Sequence, residues 1–182
     1  MSKHAVIVVD LQNEYLPTGN LPLHRIEQTI STALAVVTKA RKAGDLIINI
    51  RHESAEPDAP LFTKNTPAVQ FIEAMAAQDD EPVIVKNFPN SFRETELKSI
   101  LQAHAIDTLT VVGAMSHMCI DATVRAAADF GYPVTVVEDA CTTLDLEFAG
   151  RKVPAPDVHA AFMAGLAFAY ANVVNSAEYL KG

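Results

Sequence analysis

The sequence predicts a three-layer α/β fold, in which a mainly parallel β-sheet is covered on both faces by helices. Short apolar runs recur along the chain at intervals that suit alternating strands and helices. The runs are nearly continuous and rich in β-branched residues, which is typical of strands buried on both faces of a parallel sheet. Six such runs are present: AVIVV (5–9), LIINI (46–50), PVIV (82–85), TLTVV (108–112), PVTVV (133–137) and YANVV (170–174).

Helical periodicity fills the segments between these runs. Apolar residues from Ile26 to Val37 lie on one face of a helix, and Gly44 after them is a typical helix stop. Strands that alternate with helices form right-handed crossovers, so the helices cover both faces of one sheet. Similar spacings predict further helices around 97–101, 120–127 and 162–169.

Length, charge and cysteine content limit the class of protein. We predict one domain over residues 1–182, because the chain has no internal repeat, low-complexity tract or Gly/Ser-rich linker. The formal net charge of −8 argues against nucleic acid as a partner, since phosphate binding needs clustered Lys and Arg. Two cysteines, Cys119 and Cys141, cannot form a secreted disulfide framework. Because no basic-then-apolar leader precedes Ala5 and no apolar run reaches about 18 residues, we expect a cytoplasmic protein without a membrane partner.

Three reactive side chains follow three of the predicted strands. Asp10 ends the first strand, Lys86 follows the third, and Cys119 lies just after the fourth, at the start of a predicted helix. The carboxyl ends of parallel strands meet at one edge of a sheet, where ligands bind. Each residue alone has an ordinary interpretation as a cap, a solvated lysine or a buried thiol. Together they indicate a catalytic site.

The position of Cys119 predicts a reactive thiol. Free N–H groups and the dipole at a helix N-terminus favour negative charge, so we expect the pKa of Cys119 to lie below that of free cysteine. Alkylation should then label Cys119 faster than Cys141 at neutral pH. The same N–H groups can hold an oxyanion that develops on a bound carbonyl.

Several segments resemble one family of hydrolases. VVGAMSHMCIDATVRAAADFGYPVTVVEDAC resembles the signature of the isochorismatase-like cysteine hydrolases, which include nicotinamidases, N-carbamoylsarcosine amidases, ureidoacrylate and biuret hydrolases, and isochorismatases. AVIVVDLQNEY, VIVKNFPNSFRETEL and DVHAAFMAGLAFAYANVVNSAEYL are similar to other segments of that family, in the same order. The resemblance covers nearly the whole chain. Together with the six runs, it implies a Rossmann-like sheet with strand order 3-2-1-4-5-6.

The resemblance also implies roles for individual residues. Asp10 would be the general base and acid, Lys86 its positively charged partner, and Cys119 the nucleophile. A cis peptide would join Ala114 to Met115, and the N–H groups of Met115 and Cys119 would form the oxyanion hole. These roles predict an enzyme that cleaves a C–N bond of a small amide or carbamoyl substrate through an acyl-enzyme on the cysteine.

The segment after the second strand departs from one branch of the family. Nicotinamidases carry a metal site with an Asp–x–His pattern there, whereas this chain has INIRHESAEP, with His52 but no aspartate two residues earlier. We therefore predict neither a metal nor another cofactor.

The predicted crevice has several candidate lining residues, although packing is an open alternative for all of them except His52, which could instead be a solvated loop histidine. The irregular segments 52–66 and 141–156 are expected to determine the substrate. His117 lies in the same turn as Cys119, too close to reach the sulfur at a good angle, so we do not expect a Cys–His dyad. The candidates for contact with substrate are Gln12, Tyr15, His52, Phe88, Phe92 and His117.

Two other functions are consistent with the family resemblance. Isochorismatase-type hydrolysis of a vinyl ether would use Asp10 and Lys86 without a thiolate, and an inactive relative would only bind a small molecule. The intact cysteine favours C–N hydrolysis, and a binder has no need of all three residues. The resemblance further implies a homo-oligomer, a dimer or larger, which light scattering at micromolar concentration would test.

Overall fold

The computed structural model describes residues 3–181 and confirms the predicted fold. Six parallel strands form one sheet in the order β3-β2-β1-β4-β5-β8. The sixth strand of the sheet carries the label β8 because a two-stranded hairpin precedes it in the chain. The strands of the sheet are β1 (His4–Val9), β2 (Leu46–His52), β3 (Val83–Lys86), β4 (Thr108–Ala114), β5 (Val134–Thr142) and β8 (Asn172–Val174).

Helices connect the strands, as the periodicity predicts. The longest helix, α1, begins at Ile26 and ends before Gly44, whose left-handed backbone (φ 78°) lets its N–H bond to the carbonyl of Ala40. A short last helix, which the sequence did not indicate, follows β8. The helices are α1 (Ile26–Ala43), α2 (Leu97–Ala103), α3 (Asp121–Asp129), α4 (Ala155–Ala169) and α5 (Ser176–Tyr179). Among residues 3–181, no helix is long and apolar enough to cross a membrane.

The core lies on both faces of the sheet. In β1, Ala5, Ile7 and Val9 pack in one cluster, while Val6 and Val8 pack in another, because successive side chains of a strand point to opposite faces. The first cluster contains the buried faces of α2, α3 and α4, and the second contains that of α1. Burial of every apolar position of β1 explains its uninterrupted apolar sequence.

One of the two segments predicted to be irregular contains regular structure. Residues 141–156 include the end of β5 and an antiparallel hairpin of β6 (Leu146–Phe148) and β7 (Arg151–Val153). Ala149 and Gly150 both have positive φ, at 51° and 76°, as a two-residue type I′ turn requires. Alanine is unusual at such a position, so the turn lacked a recognisable sequence signal. Residues 53–66 contain no helix or strand, as predicted.

Candidate active site

Asp10 lies at the carboxyl end of β1, in the centre of the sheet. It directly follows β1, its side chain is fully buried, and its N–H donates to the carbonyl of Ile50 in β2. Its backbone is left-handed, with φ 53°, a conformation that Asp adopts more readily than most residues. This turn directs the chain away from the sheet at the point where the carboxylate must remain buried.

Lys86 is the last residue of β3 and lies two strands away from Asp10. Its Nζ atom is 2.7 Å from Oδ2 of Asp10, 3.1 Å from Sγ of Cys119 and 3.0 Å from Nδ1 of His52. An ammonium group has three N–H donors and no acceptor, so these three neighbours match its capacity. Neither Lys86 nor Asp10 exposes any side-chain surface. The structure thus brings the three predicted reactive residues together around one ammonium.

The strand that leads to Cys119, β4, lies very close to its neighbour β1 at Gly113. Gly113 pairs with Val9 across β4 and β1, and its φ is 127°. A Cβ atom at this position would lie 2.0 Å from the carbonyl oxygen of Val9, so only glycine fits without rearrangement. The peptide between Ala114 and Met115 is cis, as the family resemblance implied.

The segment after the cis peptide is a single π-helical turn, Ser116–Ile120, that continues into α3. Two side-chain contacts join this turn to other segments of the protein. The Ser116 hydroxyl is 2.7 Å from Nδ1 of His159 in α4, and Nδ1 of His117 is 2.6 Å from the Thr143 hydroxyl. π-Turns are frequent at functional sites. Here the turn presents Sγ of Cys119 to Asp10 and His52, and the three ligand-type atoms lie within 4.8 Å of one another.

The prediction of a low thiol pKa is wrong for this structure. Burial, reinforced by the negative charge of Asp10, raises the pKa of Cys119 to about 12, although Lys86 acts in the opposite direction. Only 6% of the residue is exposed, so the loss of hydration outweighs the favourable charge. Burial also raises the pKa of Cys141 to about 12, and that residue is 5% exposed. The expectation that Cys119 is alkylated faster therefore loses its physical basis.

The other ionisable groups keep the forms that catalysis would need. Burial alone would lower the pKa of Lys86, but the negative charge of Asp10 and the interaction with the sulfur of Cys119 raise it overall. Burial and then the Asp10 charge raise the pKa of Tyr15 well above its usual value. Within residues 3–181, Oδ1 of Asp10 has no hydrogen-bond partner. The site therefore combines a protonated thiol, a charged lysine and a carboxylate with a free acceptor atom.

The other candidate residues differ in where they lie. Gln12 is fully buried, and its amide bonds to the backbone of His52 and Val69, so it is already occupied. Tyr15 and His52 both pack edge-to-face against Phe62. The centroid of the Phe62 ring lies 5.5 Å from that of Tyr15 and 4.9 Å from that of His52.

The remaining candidates are engaged by other residues of the protein. Phe92 belongs to the core and packs against Phe130 at 5.2 Å between ring centroids. The guanidinium of Arg93 lies over the ring of Phe88, with its Cζ atom 3.6 Å from the ring centroid. The imidazole of His117 is engaged by Thr143, which leaves it unsuited to act as a base for Cys119.

Sequence reasoning missed Phe62 entirely. This residue lies in the irregular segment 53–66, where no periodicity distinguishes one apolar residue from another. It is held in place by a hydrogen bond from its N–H to Oε2 of the fully buried Glu14. Phe62 has a left-handed backbone, with φ 54°. The loop is therefore anchored at the residue that contacts the rings of Tyr15 and His52.

A metal would have to use the same atoms that surround the ammonium. Asp10, His52 and Cys119 are the described residues whose ligand atoms cluster closely enough to hold an ion. Each of them already has an atom within 3.1 Å of Nζ of Lys86. A positively charged ammonium at this point would repel a divalent ion. The residues present therefore do not fit a metal centre.

Removal of metal is expected to leave the protein unchanged. Dialysis against a chelator should alter neither the melting temperature nor turnover, and added zinc should raise neither, because Lys86 already supplies the positive charge. Metal content by mass spectrometry and thermal unfolding would check this. Loss of turnover on chelation, with recovery on zinc addition, would contradict our interpretation of INIRHESAEP.

Comparison with known proteins shows the family. The Isochorismatase domain model matches residues 4–178. The chain is 41% identical over 177 residues to YddQ, an uncharacterized isochorismatase family protein of Bacillus subtilis, and the match covers 97% of this chain and 98% of YddQ. A solved structure from Oleispira antarctica, provisionally assigned as an isochorismatase hydrolase, superposes with a TM-score of 0.95 and 44% identity, covering 100% of this chain and 97% of the other. The chain therefore belongs to the isochorismatase family of hydrolases.

A more distant relative has a named activity. The maleamate amidohydrolase of Pseudomonas putida is 26% identical over 152 residues, a match that covers 75% of this chain and 71% of that protein. Family membership confirms the resemblance seen in the sequence motifs.

Proposed function

We propose that this protein is a cysteine hydrolase that cleaves a C–N bond of a small amide or carbamoyl compound through an acyl-enzyme on Cys119. The observation that carries the proposal is the buried cluster in which Lys86 contacts both Asp10 and Cys119. The existence of an amidohydrolase among the relatives supports the same reaction class.

The raised pKa of Cys119 determines how the first step must proceed. A thiol with a pKa of about 12 is protonated at neutral pH, so its proton has to leave as the sulfur attacks the carbonyl carbon. Asp10 lies beside the thiol and has a free oxygen atom to accept that proton. The ammonium of Lys86 stays charged and stabilises both the carboxylate before the transfer and the sulfur as negative charge develops on it.

The later steps reuse the same groups. Negative charge on the tetrahedral oxygen would be held by the N–H groups of Met115 and Cys119. Asp10 then returns its proton to the leaving nitrogen, and the C–N bond breaks to give a thioester. Water attacks the thioester while Asp10 takes a proton from it. The C–S bond then breaks, Asp10 passes this proton to the sulfur of Cys119, and the acid is released.

Two alternatives use the same cluster differently. Vinyl-ether hydrolysis of the isochorismatase type would need Asp10 and Lys86 but not the sulfur. A pure binding protein would need none of the three, and removing a carboxylate and an ammonium from water costs free energy even when they are paired. The placement of Sγ beside a carboxylate with a free oxygen favours nucleophilic catalysis.

Trapping the acyl-enzyme tests the proposal. We expect a panel of small amides and carbamoyl compounds to include one that leaves an acyl mass on the Cys119 peptide after rapid quenching. Cys119→Ala and Asp10→Asn should both lose hydrolysis by on the order of a thousandfold or more, and Cys119→Ser should recover little. Peptide mass spectrometry and product release would measure this.

The matched control is Cys141→Ala, which removes the other buried thiol and should retain hydrolysis. Full activity in Cys119→Ala with loss in Asp10→Asn would favour vinyl-ether chemistry instead. Binding of a ligand without product in any variant would identify a binder.

A further inference from the structure

His52 contacts the reactive centre through one defined ring atom. Its Nδ1 lies 3.0 Å from Nζ of Lys86, which pairs with His52 in register across β2 and β3. A charged ammonium can only donate, so Nδ1 must be the acceptor and cannot carry a proton. The imidazole is therefore neutral and has its proton on Nε2.

The surroundings of His52 fix the position of the ring. Oε1 of Gln12 accepts from the His52 N–H at 2.8 Å, and Nε2 of Gln12 donates to the His52 carbonyl at 2.9 Å. The ring packs edge-on against Phe62 at 4.9 Å between centroids. These contacts from two other segments leave Nδ1 aimed at Lys86.

The surroundings of the ring favour its neutral form. Burial and then the Lys86 charge lower the pKa of His52 to about 4, against the opposing influence of Asp10 and Glu53. The remaining titratable neighbours are Cys119, whose sulfur shares the ammonium, and Tyr15, across the ring of Phe62. Lys86 is the positively charged group that contacts the ring.

We propose that His52 is a positioning residue, whose neutral imidazole holds the third N–H of Lys86 and thereby keeps the ammonium between Asp10 and Cys119. Lysine has four rotatable bonds, and an ammonium with one unmade hydrogen bond in a buried site would reorient toward another acceptor. Asp10 and Cys119 fix two directions of the tetrahedral group, and His52 fixes the third. The role in catalysis rests on the proposed function, whereas the protonation state of His52 does not.

Nitrogen NMR of the imidazole rings tests the protonation state directly. The chain has six histidines, so the His52 signals are assigned by their absence from His52→Asn. We expect Nε2–H with unprotonated Nδ1 throughout the range from pH 7.5 to 5.5. An unperturbed histidine would be roughly nine-tenths protonated at the lower limit. Protonation of Nδ1 or titration within this range would overturn the proposal, whether or not a substrate has been found.

Two variants of His52 separate positioning from mere packing. His52→Leu keeps a similar volume but removes the acceptor, whereas His52→Asn retains an acceptor oxygen near the place of Nδ1. We expect His52→Leu to lower kcat by about ten- to a hundredfold with little change in KM, since a hydrogen bond to a charged group is lost. We also expect the alkaline limb of kcat/KM to move to lower pH, because the lysine loses a partner of its charged form. His52→Asn should restore much of both.

The matched controls are His104→Leu and His104→Asn, at an exposed histidine outside the site. Equal losses in both His52 variants, or none in either, would overturn the positioning role. If wild type hydrolyses no amide, the proposed function fails, and the NMR result alone decides the hydrogen bond between His52 and Lys86.

Discussion

Lys86→Met is expected to abolish turnover and to lower the free energy of unfolding by about 3–5 kcal/mol. Methionine keeps most of the length of the side chain but removes the charge. The carboxylate of Asp10 exposes no surface, so without Lys86 it becomes a buried charge without a cation. Urea denaturation at pH 7 and product release would measure both effects.

The double variant Asp10→Asn/Lys86→Met is the decisive comparison. It removes both charges and leaves shape nearly unchanged, so most of the lost stability should return while turnover stays absent. A double variant no more stable than Lys86→Met would show that the loss comes from packing rather than from the unpaired charge. The cycle of single and double variants isolates the interaction between the two residues.

The pH dependence of Lys86→Met provides a second check. Without the ammonium, the fully buried carboxylate of Asp10 has no cation beside it, and uptake of a proton would remove that unpaired charge. Stability should therefore increase as the pH falls. Unfolding measured between pH 7 and 5 should therefore show the defect of Lys86→Met shrinking toward acid.

Gly113→Ala is expected to prevent folding or to cost more than about 4 kcal/mol, among the largest effects of a single methyl group. The new Cβ would lie 2.0 Å from the carbonyl oxygen of Val9, and φ of 127° is unfavourable for any side chain. Relief requires β1 and β4 to separate, and these are the two central strands. Circular dichroism and thermal unfolding of the purified variant would measure the loss.

Gly131→Ala is the matched control for this prediction. Gly131 also has a positive φ, 90°, but a Cβ there would have nothing within 4 Å. It should therefore cost only the backbone strain, roughly 1–2 kcal/mol. If the two variants were equally stable, the close approach of Gly113 to Val9 would not be the reason for glycine at that position.

The reactive residues could be predicted because their positions follow from topology. Parallel strands end at one edge of the sheet, so residues after β1, β3 and β4 meet whatever the intervening sequence. Asp10, Lys86 and Cys119 satisfy this rule. The contact between His52 and Lys86 could not be predicted, because it depends on the register of β2 against β3. A shift of one residue would turn the His52 ring to the other face of the sheet.

Burial is the property that sequence reasoning estimated least well. A position near a helix start indicated a reactive thiolate at Cys119, but the sign of the pKa shift depends on how completely the sulfur is removed from water. That removal is produced by residues of other elements. Cys119 lies in one buried cluster with Ile50 of β2 and with Phe92, neither of which is near it in the sequence.

The order of the strands has a consequence for how the protein folds. β1 lies between β2 and β4, so it is complete only when a strand from the second half of the chain has docked beside it. The contacts of Lys86 with His52 and Cys119 likewise join residues 34 and 33 positions apart. Such long-range pairings slow folding, because loop-closure entropy is lost before the contacts form. The cluster of Asp10, Lys86 and Cys119 is therefore complete only after β4 has docked beside β1, and hydrogen exchange should protect the four central strands as one cooperative unit.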